Sequence, residues 1–107
     1  MKPKKELETR LLKELQDEFE PDVYELECET ILLNIPEDYG KIPTLEELKT
    51  NINLYEVTHF DYKVSNTIED TNEYKERLKL YITNKYNINS SIYFSLEDTI
   101  VSVFLEH

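Results

Sequence analysis

The stretch "VYELECET", residues 23–30, sets Tyr24, Leu26 and Cys28 against Glu25, Glu27 and Glu29 in strict alternation. A β-strand turns successive side chains to opposite faces, so this pattern predicts one face toward a core and one toward water. All three carboxylates then share the wet face. Same-face neighbours on a strand sit about 6.7 Å apart, and in water two such charges repel by only about 0.6 kcal/mol. Salt lowers that further. The stripe is therefore tolerable on a solvated sheet face, especially opposite lysines on a neighbouring strand. It is also a surface that attracts a basic partner.

Outward from this stretch the chain separates into short elements. Residues 4–19 repeat Leu7, Leu11, Leu15 and Phe19 at every fourth position, with Leu12 beside them, which predicts an amphipathic helix stopped by Pro21. The strand continues through "ILLNI" to Pro36. The segment "PEDYGKIP", residues 36–43, has two prolines and the chain's one glycine, and reads as a loop. Thr44 and Glu47 form a capping box for a short helix with Leu45, Leu48 and Ile52 inward. Residues 55–64, "YEVTHFDYKV", are β-branched and aromatic and predict a second strand, although their alternation is blurred. Asp70 and Glu73 open a helix whose stripe is Tyr74, Leu78, Tyr81 and Ile82, and Asn87 can end it in a left-handed conformation. "SIYFSL" and "TIVSVF" predict two strands around Glu97-Asp98, with a longer loop or one bent strand as alternatives.

The order is α-β-α-β-α-β-β. It predicts a single α+β domain: three or four mostly antiparallel strands with helices mainly on one face. The 107 residues suffice for one core without disulfide or metal. Leu105-Glu106-His107 reads as the start of a purification tag, which sets the domain at 1–104 and leaves His59 as the one native histidine.

Composition excludes several functions. One glycine cannot build a phosphate-cradling loop. Net charge is −11, and the acid lies mostly in residues 14–58, with thirteen acidic and two basic side chains. No basic stripe is present to displace counterions from nucleic acid, and an anionic membrane would repel the chain. No apolar run is long enough to span a bilayer. The single cysteine makes no internal disulfide, and a cytoplasmic location is expected. Abundant Asn, Lys, Ile and Tyr fit an AT-rich genome, such as that of a low-GC bacterium or its phage.

Candidate chemistry is sparse. His59 and Asp61, two apart on a strand, share a face and make a weak metal or acid–base candidate with a nearby glutamate. No catalytic set and no cofactor are expected. Cys28 reads as a buried, inert thiol, its sequence neighbours Glu27 and Glu29 disfavouring a thiolate. Tyr39 in the proline-bounded loop is a candidate interface anchor. The leading expectation is a non-enzymatic binding or regulatory module that contacts an unidentified, basic protein through Glu25, Glu27, Glu29, Glu37, Asp38 and Tyr39. The alternatives are a structural or assembly subunit of a phage or mobile element, associating through the apolar strand edge "TIVSVF", and a small enzyme built on His59 and Asp61.

Overall fold

A computed structural model describes residues 3–32, 55–95 and 97–106. Among them the order is α1 (Pro3–Glu18), β1 (Val23–Leu32), β2 (Tyr55–Val64), α2 (Thr71–Tyr86), β3 (Asn89–Phe94) and β4 (Ile100–Glu106). The helix expected from Thr44 and the loop with Glu37, Asp38 and Tyr39 lie outside the described residues. The four strands form one antiparallel sheet in the order β1-β2-β4-β3. β2 and β3 thus run parallel with β4 between them, and α2 is the crossover that parallel strands need. The fold is α+β around a single core, as the alternation predicts.

Both helices cover the same face of the sheet. Leu7, Leu11 and Leu15 of α1 and Tyr74, Leu78 and Ile82 of α2 pack with Val23, Leu26, Cys28, Phe60, Tyr62, Val64, Ile92, Val101 and Val103. Phe19, just past α1, meets Tyr74 edge-on at 5.5 Å and Tyr81 at the same distance, and Arg77 lies 5.2 Å over its ring. The Tyr86 hydroxyl donates to Glu14 Oε2 at 2.7 Å, and Lys85 pairs with Glu18, so the two helices are also tied at their surface. α2 starts where Asp70 accepts from the Glu73 amide at 3.0 Å. It ends at Asn87, whose φ of 57° is left-handed and whose amide reaches Thr83 O.

The alternation of 23–30 needs one correction. Tyr24 does not join Leu26 and Cys28 inside. It is 41% exposed, whereas Val23 is 1% exposed. Tyr24 opposes Lys63 and Glu27 opposes Asp61, so Glu25 and Leu26 together face Tyr62. This is a β-bulge, with Glu25 at a φ of 48°. One extra residue reverses the phase before it, which puts Val23 rather than Tyr24 into the core.

A second irregularity explains the blurred reading of 55–64. Glu29 opposes His59 and Thr30 opposes Val57, leaving Thr58 as the extra residue on β2. Phe60, Tyr62 and Val64 are buried, and Val57 packs against the same core despite its odd spacing. β3 ends at Phe94 and β4 begins at Ile100, so their connection is the longer loop rather than a two-residue turn. Asp98 is left-handed there, and Ser95 Oγ accepts from the Thr99 and Ile100 amides. β4 continues through Leu105 and Glu106, which pair with Ser90 and Asn89.

The C-terminal segment "TIVSVF" is not a sheet edge. β4 is paired on both sides, to β2 and to β3. The apolar edge expected there is occupied within the fold, with Val101 and Val103 fully buried on a strand that lies between β2 and β3.

Candidate functional site

The sheet face away from the helices collects the polar residues that the sequence singled out. Two rows cross it by register. One runs Glu29, His59, Phe104, Ser91; the other runs Glu27, Asp61, Ser102, Tyr93. The face is acidic on the β1 side and aromatic on the β3 side.

Glu25 and Glu29 have cationic neighbours. Lys63 Nζ lies 2.8 Å from Glu25 Oε2, and Lys4 Nζ lies 3.7 Å from Glu29 Oε1. Both glutamate side chains remain 62% and 70% exposed, respectively. Glu27 instead lies directly across from Asp61, a like-charge pairing. The stripe is thus a solvated face, moderated by lysines on the next strand and on α1 and concentrated where Glu27 meets Asp61.

His59 and Asp61 do share a face: Nε2 and Oδ1 are 2.9 Å apart. The His59 ring stacks on Phe104 at 4.3 Å and 14°. Tyr93 meets Phe104 edge-on at 5.6 Å. His59 therefore bridges the acidic and aromatic halves. No three His, Cys, Asp or Glu side chains among the described residues converge to hold a metal ion. Phe104 and Tyr93 are the residues of this face that sequence reasoning missed. They alternate with inward Val103 and Ile92, which was a usable signal. Their meeting with His59 depends on strand order, which was not.

Cys28 is buried on the helix face. Burial, then the Glu8 carboxylate, pushes its thiol up to about 11. Glu8 is a closer cause than either sequence neighbour, because Glu8 Oε2 accepts the Cys28 amide at 3.0 Å. The arrangement suits packing, and a nucleophile would need the opposite environment.

A second acidic concavity of about 310 Å³ lies at the start of α2, lined by Glu20, Asp22, Glu69, Asp70 and Glu73 with Arg77 among them. Asp70 is occupied as the helix cap and Arg77 by the Phe19 ring. No helix among the described residues is long and apolar enough to cross a membrane. No protein-family model matches the chain, and no curated protein or solved structure resembles it closely enough to supply a function.

Proposed function

We propose that the chain is a small binding module that contacts a basic protein through the open face of its sheet. The observation that carries this reading is the composition of that face. Glu25, Glu27, Glu29 and Asp61 stand beside an exposed aromatic pair, with Tyr93 59% and Phe104 44% exposed. Aromatic side chains anchor interfaces, and surrounding charges orient and speed the encounter. Lys63 and Lys4 offset part of the acid without covering it. Of the other residues assigned to the contact from sequence, Glu37, Asp38 and Tyr39 lie outside the described residues.

The test uses an unstructured lysine- and arginine-rich peptide as probe. The parent is expected to bind it at least tenfold more weakly at about 0.5 M than at about 0.05 M salt, since exposed charges are screened over a few ångströms at the higher value. Glu25→Gln/Glu27→Gln/Glu29→Gln is expected to bind about tenfold more weakly than the parent at low salt. That follows from about 0.2–1 kcal/mol for each exposed ion pair. The same variant should melt within about 1 kcal/mol of the parent, because it loses two exposed pairs but relieves Glu27 against Asp61. Salt-independent binding, or binding unchanged by the triple substitution, contradicts the proposal.

A further inference from the structure

The two edges of the sheet are treated differently. At the β1 edge, side chains of α1 take up main-chain groups: Gln16 Nε2 donates to Val23 O at 2.9 Å and Glu8 accepts from the Cys28 amide. At the β3 edge the comparable contact among the described residues lies just before the strand, where Thr83 Oγ1 of α2 donates to Ile88 O at 3.5 Å, and none reaches Asn89–Phe94 itself. Ser95 N donates to Ile100 O at 3.0 Å, and antiparallel alternation then assigns the bonds to β4 to Tyr93, Ser91 and Asn89. The amides and carbonyls of Ser90, Ile92 and Phe94 point away from the sheet, and no described residue bonds to them. Ser90 also has the buried side-chain oxygen that lacks a hydrogen-bond partner among the described residues.

The usual guards of a free edge are absent from the strand itself. It has no proline, no lysine and no other charge. Residues 86–96 carry no charged side chain at all, although charged residues make up 33% of the chain. For a molecule of net charge −11, this is a surface on which two copies can meet without like charges at the seam.

We infer that β3 pairs antiparallel with β3 of a second copy of this chain. Only one register uses every open group. Ile92 faces Ile92 of the other copy, Ser90 faces Phe94, and Phe94 faces Ser90, so the three outward residues of each strand exchange both bonds with their partners. Ile92 and its copy then meet on the helix face, and each Tyr93 lies beside Ser91 of the other copy on the open face. The incoming strand also brings main-chain groups alongside Ser90 Oγ. The product is a continuous eight-stranded sheet whose two acidic and aromatic faces join. A six-residue seam is small, so the association is weak and belongs to millimolar rather than micromolar concentration.

Sedimentation and backbone amide exchange test this together. The mass is expected to rise from 12.8 kDa toward twice that value with concentration. Added salt should strengthen the association, since it screens two chains of the same charge. This is opposite in sign to binding of a basic probe, so the two readings fail separately. The amides of Ser90, Ile92 and Phe94 should become protected only at high concentration, while those of Asn89, Ser91 and Tyr93 are protected throughout. Ser91→Lys/Tyr93→Lys places four cations at the seam and should hold the chain as a monomer. A single-chain mass at millimolar concentration overturns the inference. So does a dimer that leaves the Ser90, Ile92 and Phe94 amides exchanging freely, or one that persists in a folded Ser91→Lys/Tyr93→Lys variant. If that variant does not fold, the exchange pattern of the parent decides alone.

Discussion

Deletion of Glu25 is expected to leave the chain folded, within about 1 kcal/mol of the parent, whereas deletion of Glu27 unfolds it. The two residues look equivalent in the sequence. They differ because Glu25 is the extra residue of the β1 bulge. Without it, Val23, Tyr24, Leu26, Glu27 and Cys28 form a regular strand that alternates in, out, in, out, in. The deletion loses an exposed ion pair to Lys63, worth about 0.2–1 kcal/mol. It also removes a non-glycine residue at a φ of 48°, which relieves about 1–2 kcal/mol.

Glu27 has no such freedom. Once it is removed, no register with a single bulge keeps Val23, Leu26 and Cys28 all on the helix face. Either Leu26 turns outward and Glu25 inward, or Cys28 turns outward and Glu29 inward. Exposing a leucine costs about 1.5–3 kcal/mol, and burying a carboxylate costs several more unless it protonates. A domain of this size has about 5–15 kcal/mol in total. Thermal unfolding followed by circular dichroism separates the cases, and equal melting of the two deletions would refute the bulge.

The second large effect concerns the tyrosine pair under α2. The Tyr62 and Tyr74 hydroxyls are 2.8 Å apart, and the two residues are 1% and 7% exposed. Tyr62→Phe is expected to cost about 1–3 kcal/mol, because the Tyr74 hydroxyl is left buried without its partner. Tyr62→Phe/Tyr74→Phe removes both hydroxyls and should cost less than the sum of the single changes. Denaturant melts of the full cycle measure the difference.

The same pair predicts how the fold responds to base. Burial is the first cause holding both phenols neutral: it pushes Tyr74 up to about 12, against the effect of its hydrogen bond to Tyr62, and Tyr62 well above the ordinary tyrosine value. In the unfolded chain both ionise near pH 10. Above that pH the unfolded state binds fewer protons than the folded one, so stability falls as pH rises. Both contributions are complete below about pH 10; that of Tyr74 is lost between about 10 and 12, and that of Tyr62 as pH rises through its own raised value. The phenolate absorbance of this buried pair and loss of structure should therefore appear together. Full tyrosine ionisation in a chain that is still folded at pH 10 would contradict the burial of this pair.

These results show which parts of the fold are legible in the residues. The helix stripes Leu7–Leu11–Leu15 and Tyr74–Leu78–Ile82, the Asp70 and Asn87 caps, and the strands 23–32 and 55–64 follow from local patterns, which is where periodicity and capping act. The bulge at Glu25 does not. Glutamate is not a residue that announces a left-handed backbone, and the Tyr24-for-Val23 exchange comes from that one conformation. Thr58 blurs β2 for the same kind of reason. Strand order was illegible because pairing is non-local, so the apolar "TIVSVF" segment looked like an edge although β4 lies inside the sheet.

The open face divides in the same way. That Glu25, Glu27 and Glu29 are solvent-facing, and that His59 and Asp61 share a side, follows from positions along single strands. That Glu27 meets Asp61, or that His59 stacks on Phe104 beside Tyr93, requires knowing which strands are neighbours. The lysines that moderate the stripe come from β2 and α1, 38 and 25 residues from the glutamates they meet, as Glu25–Lys63 and Lys4–Glu29 show.

The measurement that bears most directly on the account is an amide chemical-shift map of the chain titrated with the lysine- and arginine-rich peptide at low salt. The open-face proposal predicts shifts at Glu27, Glu29, His59, Asp61, Ser102 and Phe104, reversed by salt, with Glu69, Asp70 and Glu73 at the start of α2 unmoved. Shifts confined to the α2 concavity, or no shifts at all, would contradict it.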